Sequence, residues 1–222
     1  MEIITIDGPS GVGKGTLALY LADKLHFNYL NSGALYRSIG YIADLKSIDL
    51  TDEKMLISIT QSITFKFNKA SKNIEIMYEN KSINKKIFNE KTANTASKIA
   101  SISSLRKSIV NIQRAFAKEP GLVAEGRDMG SIIFPDAIIK LFLTANTKTR
   151  AKRRHKQLKE KGINVSLSQL IDELEARDTR DTIREVSPLI TPDEALIIKT
   201  DHKSITKVQE EVISYIGNTI KI

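Results

Sequence analysis

The chain has 222 residues, of which 41% are hydrophobic and 27% charged, a composition typical of globular proteins and a length sufficient for one α/β domain. It contains no cysteine, which excludes disulfides and thiolate metal sites, and no apolar run that could span a bilayer, so we expect a cytoplasmic protein that does not bind membranes. The net charge of +8 is typical of a nucleic-acid-binding protein or of a site that holds several phosphates, although scattered lysines account for much of it.

The N-terminal segment combines a strand, a glycine-rich loop and a helix. Residues 2–7 are mostly apolar and β-branched, which predicts a buried strand, and apolar spacing predicts a helix over 17–25. Between them lie Gly8, Pro9, Ser10, Gly11, Val12, Gly13, Lys14, Gly15 and Thr16. In such a loop, backbone N–H groups and the helix N-terminus face phosphate oxygens, and Lys14 supplies a mobile charge for the β- and γ-phosphates. The pattern predicts nucleotide binding; the alternative is a purely structural glycine turn.

The loop departs from the commonest sequence at one position. Serine or threonine usually follows the lysine directly, and its hydroxyl binds Mg²⁺. Here Gly15 follows Lys14, so Thr16 becomes the candidate magnesium ligand. This GKGT variant resembles the loop of the nucleoside monophosphate kinases, but the loop alone does not determine which reaction takes place.

A second strand is predicted at 27–30, followed by a helix. Ser32 is the predicted N-cap of this helix, which extends through Ile42. Tyr36 and Arg37 then lie in its first turns, near the carboxyl edge of the sheet, where ligands bind in open parallel sheets. The alternative is an amphipathic helix with one surface arginine, and the residues alone favour neither interpretation.

A further helix is predicted over 51–62, with Thr51 as its N-cap, and the pattern then changes. Residues 63–67 and 74–78 alternate between apolar and polar side chains, and 80–82 form a predicted turn. This pattern indicates an antiparallel β meander, unlike the βα units on either side. We therefore predict an inserted subdomain over roughly 62–90.

The rest of the chain returns to helices and short strands. The spacing predicts two helices over 92–118, strands at 122–124, 138–143 and 195–199, and helices at 147–161, 166–184 and 204–216.

Two groups of charged residues are candidates for chemistry. Residues 125–128, Glu-Gly-Arg-Asp, follow a buried strand, where an acid commonly organises Mg²⁺; the alternative is a loop ion pair. Arg177, Arg180 and Arg184 share one helical face, from which arginine forks suit phosphate oxygens. Because acidic residues partly offset these arginines, the alternative is a solvated face of salt bridges.

The sequence resembles the bacterial cytidylate kinases over essentially its whole length. The matching stretches are IDGPSGVGKGT, NSGALYR, ANTASKIA with the later LR, LVAEGRDMGSIIFPDA, RAKRR and RDTRDTIREVSPL. Adenylate and uridylate kinases share the first loop but not the GRDMG segment or the Arg/Asp tail. The resemblance implies one α/β domain, residues 1–222, with a P-loop NTPase fold: a five-stranded parallel sheet flanked by helices, a small antiparallel β insert and a helical lid over 147–187.

The resemblance also implies an activity. It is the transfer of a phosphoryl group from ATP to CMP or dCMP, with Mg²⁺ as cofactor, in pyrimidine nucleotide metabolism. We expect a monomer that does not bind nucleic acid. One alternative is another P-loop kinase that accepts UMP, AMP or a small metabolite. The other is a basic nucleic-acid-binding protein with ATP as its switch, against which the aromatic content of 6% argues.

Family roles transfer to individual residues of this chain. Residues 8–16 are implied to hold the ATP phosphates, Arg153 to cover the adenine, and Glu125 to bind Mg²⁺ through water together with Thr16. The residues expected to bind CMP are Ser32, Tyr36, Arg37, Ser97, Arg106, Arg127, Asp128, Arg177, Asp181 and Arg184.

Within this set the resemblance separates contacts to the base, the sugar and the phosphates. Ser97, Arg106 and Asp128 are implied to approach the cytosine. Asp181 is implied to lie near the sugar, and Arg37 on the acceptor phosphate. The implied catalytic residues, which stabilise charge during an in-line transfer, are Lys14, Arg127, Arg177 and Arg184.

Overall fold

The structure, a computed structural model, describes residues 1–160 and 162–219. The strands are β1 (Glu2–Asp7), β2 (Asn28–Asn31), β3 (Ile63–Asn68), β4 (Asn73–Tyr78), β5 (Lys81–Ser82), β6 (Gly121–Glu125), β7 (Ile139–Thr144) and β8 (Leu196–Lys199). The helices are α1 (Lys14–Lys24), α2 (Ser32–Leu45), α3 (Glu53–Ser62), α4 (Asn84–Ile87), α5 (Glu90–Ile99), α6 (Ser103–Arg114), α7 (Thr147–Glu160), α8 (Leu167–Ile183) and α9 (Ile205–Thr219). A π-helical turn covers Met129–Ile133.

Five parallel strands form the central sheet in the order β2-β6-β1-β7-β8. The register places Ile6 opposite Glu125, and Glu125 opposite Asn31. The carboxyl ends of these three strands therefore meet at one edge, where the glycine-rich loop, the 125–128 segment and helix α2 all begin. The predicted fold class is confirmed, and the sheet brings three distant sequence motifs together.

The sheet separates two hydrophobic cores. Leu122 and Ala124 of β6 pack with the layer that contains α2, α3, α5 and α6, whereas Val123 packs with the layer that contains α1 and α9. All three side chains are fully buried, as expected for a parallel strand covered by helices on both faces. The strands that carry the site are thus held from both sides.

The small second sheet is antiparallel, with the order β3-β4-β5, and Phe65 lies opposite Ile76. The predicted meander is confirmed, but the predicted turn at 80–82 is wrong. Glu79 and Asn80 both adopt positive φ values, 48° and 58°, and form a two-residue turn. Lys81 therefore already pairs with Tyr78 and begins a third strand.

Two predicted helix caps are also wrong by one residue. The cap of α2 is Asn31, whose side chain accepts a hydrogen bond from the Ala34 N–H, and Ser32 is the first helical residue. The cap of α3 is Asp52 rather than Thr51, because its carboxylate accepts from the N–H of Met55. In both cases the neighbouring residue is the one that reaches the free backbone N–H three positions ahead.

The other helices lie close to their predicted positions. The two helices expected over 92–118 are α5 and α6, and α1 begins at Lys14, three residues before the predicted start. Lys161, the last residue of the predicted 147–161 helix, lies outside the described residues. Among helices of the described residues, we find none with the length and apolar content needed to cross a lipid bilayer.

Asp7 anchors the end of the central strand to the turn that follows β6. Its fully buried carboxylate accepts hydrogen bonds from the backbone N–H groups of Met129, at 3.0 Å, and Gly130, at 2.8 Å. Burial raises the pKa of Asp7 to about 6, although the two backbone donors oppose this shift. Between the ordinary pKa of an aspartate and pH 6, the folded chain therefore retains a proton that the unfolded chain releases.

We predict that the contribution of Asp7 to the free energy of unfolding decreases as the pH rises from 5 to 7, by about 1 kcal/mol. The Asp7→Asn variant carries an amide that does not titrate, so the stability of this variant relative to wild type increases over the same interval. Urea unfolding at both pH values measures the difference, with the exposed Asp193→Asn as control. A difference that is the same at both pH values would contradict the assignment.

Candidate active site

The carboxyl edge of the central sheet opens into a cavity of about 800 Å³. Every residue that the sequence analysis proposed for binding or catalysis lines it, with the exceptions of Gly8, Pro9 and Arg180. The predicted residues on the wall are Ser10, Gly11, Val12, Gly13, Lys14, Gly15, Thr16, Ser32, Tyr36, Arg37, Ser97, Arg106, Glu125, Arg127, Asp128, Arg153, Arg177, Asp181 and Arg184. The fold therefore brings segments from both halves of the chain into one cleft.

The glycine-rich loop needs its glycines for backbone shape and for close packing. Gly8, Gly11 and Gly13 have φ values of 140°, 81° and 100°, a region that other residues rarely adopt. A Cβ atom on Gly8 would lie 2.1 Å from the carbonyl oxygen of Leu143. The loop leads directly into α1, whose first residue is Lys14, so the positive end of the helix faces the cleft.

Lys14 is held inside its own loop. Only 7% of its surface is exposed, and Nζ donates to the carbonyl oxygens of Gly8 at 2.9 Å and Pro9 at 2.7 Å. Burial lowers the pKa of Lys14 to about 7, and the positive charge of Arg127 lowers it further, against the opposing effect of Glu125. An anionic ligand in the cleft would further favour the charged form of Lys14.

Glu125 explains why glycine directly follows the lysine of the loop. A Cβ atom on Gly15 would lie 3.1 Å from Oε1 of Glu125, closer than the usual van der Waals separation. Glycine therefore leaves room for a carboxylate beside the start of α1. The hydroxyl of Tyr29 donates to the same oxygen at 2.5 Å, and burial together with the neighbouring carboxylate raises the pKa of Tyr29 well above its ordinary value.

The donor set around Gly15 suits a hard cation that also binds phosphates. Thr16, which carries a hydroxyl group, lines the cleft, and the Glu125 carboxylate lies beside the neighbouring Gly15. Within residues 1–160 and 162–219 no group of three or more His, Cys, Asp or Glu side chains forms a complete metal site. Mg²⁺ typically takes one or two protein oxygens and completes its shell with water and substrate phosphates, so Thr16 and Glu125 fit this ion.

Arg106 and Asp128 form a buried ion pair on the cleft wall. They are 4% and 2% exposed, and Nη2 of Arg106 contacts Oδ2 of Asp128. Nη1 of Arg106 donates to the carbonyl of Ala100 at 3.0 Å, and the guanidinium lies 5.5 Å from the ring centre of Tyr36. The pair joins α6 to the segment after β6, so the ion pair of Asp128 is formed with another element of the fold.

Asp181 lies close to Arg127 of the 125–128 segment and to Arg184 at the end of α8. Its Oδ2 accepts from Nε of Arg127 at 2.8 Å, and Nη1 of Arg184 lies 4.0 Å from Oδ1. Burial opposes ionisation of Asp181, yet the charge and hydrogen bond of Arg127 hold its pKa below the ordinary value. Arg177 and Arg184 are only 7% and 8% exposed, which contradicts the alternative of a solvated face for these two residues.

Arg180 differs from its two neighbours. Its Nε donates to the hydroxyl of Ser97 at 3.2 Å, and this hydroxyl lies 3.5 Å from Oδ1 of Asp181. Arg180 does not line the cleft. It therefore contacts Ser97 from the side away from the cavity, whereas Arg177 and Arg184 line the cavity.

Arg37 is more than a surface arginine of α2. Its Nη1 donates to the carbonyl oxygens of Ile87 and Asn89, both at 3.1 Å, and its guanidinium lies 5.8 Å from the ring centre of Phe88. Burial lowers the pKa of Arg37 to about 9, and the charge of Arg177 adds to the effect. Arg37 thus connects α2 to the segment between α4 and α5 at the wall of the cleft.

Arg153 connects the basic helix α7 to Thr200 and, through it, to the glycine-rich loop. Its Nη1 donates to the hydroxyl of Thr200 at 3.0 Å, and this hydroxyl donates to the carbonyl of Val12 at 3.3 Å. The side chain therefore lies beside the glycine-rich loop, just after the end of β8.

The sequence analysis missed two acidic residues and one tyrosine of the site. Glu90, the first residue of α5, contacts Arg154 and lies 3.8 Å from Arg177. An acid at a helix N-terminus is usually explained by the helix dipole, so its sequence position does not indicate contacts to α7 and α8. Asp7 and Tyr29 lie in strands, where only the pairing of β1 and β2 with β6 reveals their partners.

The buried Arg106–Asp128 pair yields a prediction for stability. We expect Asp128→Ala to lower the free energy of unfolding by about 3–5 kcal/mol, because it leaves the Arg106 charge buried without its partner. The exposed pair of Lys91 and Asp44, 2.6 Å apart, provides the control: Asp44→Ala should cost less than about 1 kcal/mol. Equal effects of both substitutions in urea unfolding would show that the buried pair is not critical.

Comparison with known proteins gives one consistent family. The family model described as cytidylate kinase matches residues 4–218. The cytidylate kinase of Pseudomonas syringae pv. tomato is 46% identical over 97% of this chain and 95% of its own length. Those of Nitrosomonas europaea and Photobacterium profundum are 44% and 39% identical, and each match covers more than nine tenths of both chains.

Solved structures with low sequence identity share the fold. A gluconokinase from Sinorhizobium meliloti aligns with a TM-score of 0.50 at 13% identity, over 98% of this chain and 92% of its own. An uncharacterized protein from Eubacterium ventriosum aligns with a TM-score of 0.53 at 16% identity, over 98% of both chains. These two likenesses concern the architecture of the sheet and its helices alone.

Proposed function

The chain belongs to the cytidylate kinase family, and we propose that it transfers the γ-phosphoryl group of ATP to CMP and dCMP. It is a phosphotransferase that acts on a phosphate acceptor. The observation that carries the proposal is the single cleft, whose wall includes the phosphate-binding loop, buried arginines and the polar Arg106–Asp128 pair. One cavity thus offers contacts for a triphosphate, a monophosphate and a base.

The donor is proposed to bind along the glycine-rich loop. Residues 8–16 hold the ATP phosphates through backbone N–H groups and the N-terminus of α1, and Lys14 reaches the β- and γ-phosphates. Arg153 is proposed to cover the adenine, and its position beside the loop supports this role. Phosphates in the loop would draw Lys14 away from the two carbonyl groups that it now contacts.

The transfer step needs charge stabilisation rather than a strong base. The attacking atom is an oxygen of the CMP phosphate, which is already anionic, so proton removal is not required. Lys14, Arg127, Arg177 and Arg184 are the proposed catalytic residues, because their charges would stabilise the transferring phosphoryl group and reduce repulsion between the two substrates. Lys14, Arg177 and Arg184 are buried and Arg127 is partly buried, which supports the proposal, since electrostatic interactions are stronger away from water.

Magnesium is the proposed cofactor. Thr16 would hold it through its hydroxyl and Glu125 through water, as the fit of these oxygens supports. When bound, Mg²⁺ would neutralise charge on the ATP phosphates.

The acceptor is proposed to bind where Asp128, Arg106 and Ser97 face the cavity. Among hydrogen bonds of the described residues, Asp128 uses Oδ2 for Arg106, so Oδ1 is the acceptor that remains for the amino group of cytosine. Uracil would place an oxygen against the same carboxylate and leave two buried acceptors unpaired. Selectivity for cytosine follows from this polarity.

The remaining acceptor contacts come from α2 and α8. Ser32, Tyr36 and Arg37 are proposed to bind CMP, with Arg37 on its phosphate, and Asp181 is proposed to lie near the sugar. Ser32 accepts a hydrogen bond at 2.8 Å from the buried amide of Gln113, which leaves the proton of its hydroxyl for a ligand.

Two segments are proposed to act as units around the cleft. Residues 62–90 form the subdomain that binds the monophosphate, and its separate β3-β4-β5 sheet supports this role. Residues 147–187 form the lid, and contacts of Arg154 and Arg177 with Glu90 link it to α5. A lid that closes over both substrates would keep water from the phosphoryl group.

The enzyme is proposed to work in the cytoplasm as a monomer, without nucleic acid. Neither a UMP- or AMP-specific kinase nor an ATP-switched nucleic-acid-binding protein gains support from the comparisons, because the matched family model and the relatives named above are cytidylate kinases.

An acceptor panel tests the function. With ATP and Mg²⁺, ADP formation coupled to a detection enzyme should give the highest kcat/KM for CMP and dCMP among CMP, dCMP, UMP and AMP. The Arg106–Asp128 pair predicts this order because its polarity matches cytosine. A higher kcat/KM for UMP or AMP would show that this nucleotide, and not CMP, is the preferred acceptor. Affinity for RNA without kinase activity would favour the nucleic-acid-binding alternative.

Lys14→Ala tests the charge stabilisation. We expect a folded protein whose kcat falls at least about a hundredfold, because a comparable electrostatic contact in a transition state contributes about 3 kcal/mol. Lys24→Ala, an exposed lysine at the end of the same helix, is the control and should keep wild-type turnover. Near-normal turnover of a folded Lys14→Ala protein would remove Lys14 from the catalytic residues.

A further inference from the structure

Tyr29 lies on β2, beside the end of β6, and its phenol reaches the proposed magnesium side of the cleft. The side chain is 3% exposed, and its hydroxyl donates to Oε1 of Glu125 at 2.5 Å. The pairing of β2 with β6, which sets Asn31 opposite Glu125, brings the two groups together. Tyr29 itself does not line the cavity, so it can act only through Glu125.

The direction of the hydrogen bonds around Tyr29 is determined by the backbone. The Ala34 N–H can only donate, and it donates to Oδ1 of Asn31 at 2.9 Å. Nδ2 of Asn31 is therefore the donor to the Tyr29 oxygen, at 3.3 Å. The phenol proton is then free to be donated to Glu125. From the start of α2 to the carboxylate, each hydrogen bond therefore points in the same direction, toward Glu125.

The tyrosine ring is a rigid support. It packs edge-on against Phe67 of β3, with ring centres 5.7 Å apart and an angle of 75° between the planes. Glutamate, by contrast, loses considerable rotamer freedom when it is fixed in one conformation. A short hydrogen bond from a rigid donor is a direct way to hold such a side chain over Gly15, where Oε1 lies 3.1 Å from the position of a Cβ atom.

We propose that Tyr29 is a positioning residue for phosphoryl transfer, whose hydroxyl holds the Glu125 carboxylate against Gly15, in the place suited to Mg²⁺ of bound ATP. The inference rests on the role proposed above for Glu125. It adds a residue that does not touch substrate or metal, and it connects the N-cap of the acceptor-side helix α2 with the donor side of the cleft.

A tyrosine with only a structural role would give a different result when its hydroxyl is removed. If the hydroxyl only satisfied a buried carboxylate, its removal would lower the stability of the protein and leave the effect of Mg²⁺ on ATP binding unchanged. If it positions Glu125, its removal should weaken the benefit of Mg²⁺ and lower kcat, because the carboxylate gains rotamer freedom, while KM for CMP changes little.

The test compares Tyr29→Phe with Tyr20→Phe, a half-buried tyrosine of α1 that does not line the cleft. Both keep their aromatic rings. Calorimetry measures the ATP Kd with and without Mg²⁺, and steady-state kinetics measure kcat and KM. We expect Tyr29→Phe to reduce the Mg²⁺-dependent gain in ATP affinity at least threefold and kcat about tenfold, with KM for CMP and metal-free ATP binding within twofold.

Glu125→Gln separates this inference from the function on which it rests. It should reduce the Mg²⁺-dependent gain itself, and adding Tyr29→Phe should then cause no further loss, because the two residues act as one unit. Loss in Glu125→Gln but not in Tyr29→Phe would overturn the positioning role alone. A Mg²⁺ effect that is unchanged in Glu125→Gln would overturn both that role and the proposed magnesium ligand.

Discussion

The parallel pairing of β2, β6 and β1 is the constraint on which the site depends. Its register places the ends of three strands side by side, with Glu125 opposite both Ile6 and Asn31. The phosphate-binding loop, the 125–128 segment and helix α2 therefore start at one edge of the sheet. Helices on both faces bury all of β6, the end of β1 and the middle of β2, so small shifts of the edge would disturb both hydrophobic cores.

Crowding of like charges is the second feature of the cleft. Arg127 lowers the pKa values of both Lys14 and Arg177, in addition to the larger effect of burial. Asp181 and Glu90 partly offset this charge by pairing with Arg127 and Arg154. The arrangement resembles a site prepared for several phosphates, in which bound anions replace the internal carboxylate partners of the arginines.

The strand–loop–helix start and the meander could be predicted because each has a local pattern: glycines at defined spacing, β-branched runs and strict alternation. The five-stranded parallel sheet followed from the resemblance to the cytidylate kinases. The caps of α2 and α3 and the third strand of the small sheet could not, because one-residue differences in hydrogen bonding decide them. Such differences depend on which side chain reaches a backbone N–H, not on residue type alone.

Among the site residues, those within conspicuous motifs were found from the sequence, whereas Asp7, Tyr29 and Glu90 were not. These three act through partners that are 64 to 123 positions away, as in the contacts of Glu90 with Arg154 and Asp7 with Gly130. Sequence spacing carries no information on such contacts; strand register and helix packing create them. The need for glycine at position 15 could not be predicted for the same reason. Glu125 leaves little room for a side chain there, and this is apparent only when β6 lies beside the loop.

The central claim is that one cleft binds ATP and CMP together, with their phosphates side by side. The most direct test is binding of an adenosine and a cytidine joined by a chain of five phosphates, measured by calorimetry against ATP and CMP alone. The account predicts one molecule per chain and a Kd well below that of either nucleotide, because linking makes the second binding event intramolecular. A Kd no lower than that of ATP would show that the two nucleotides do not share this cleft.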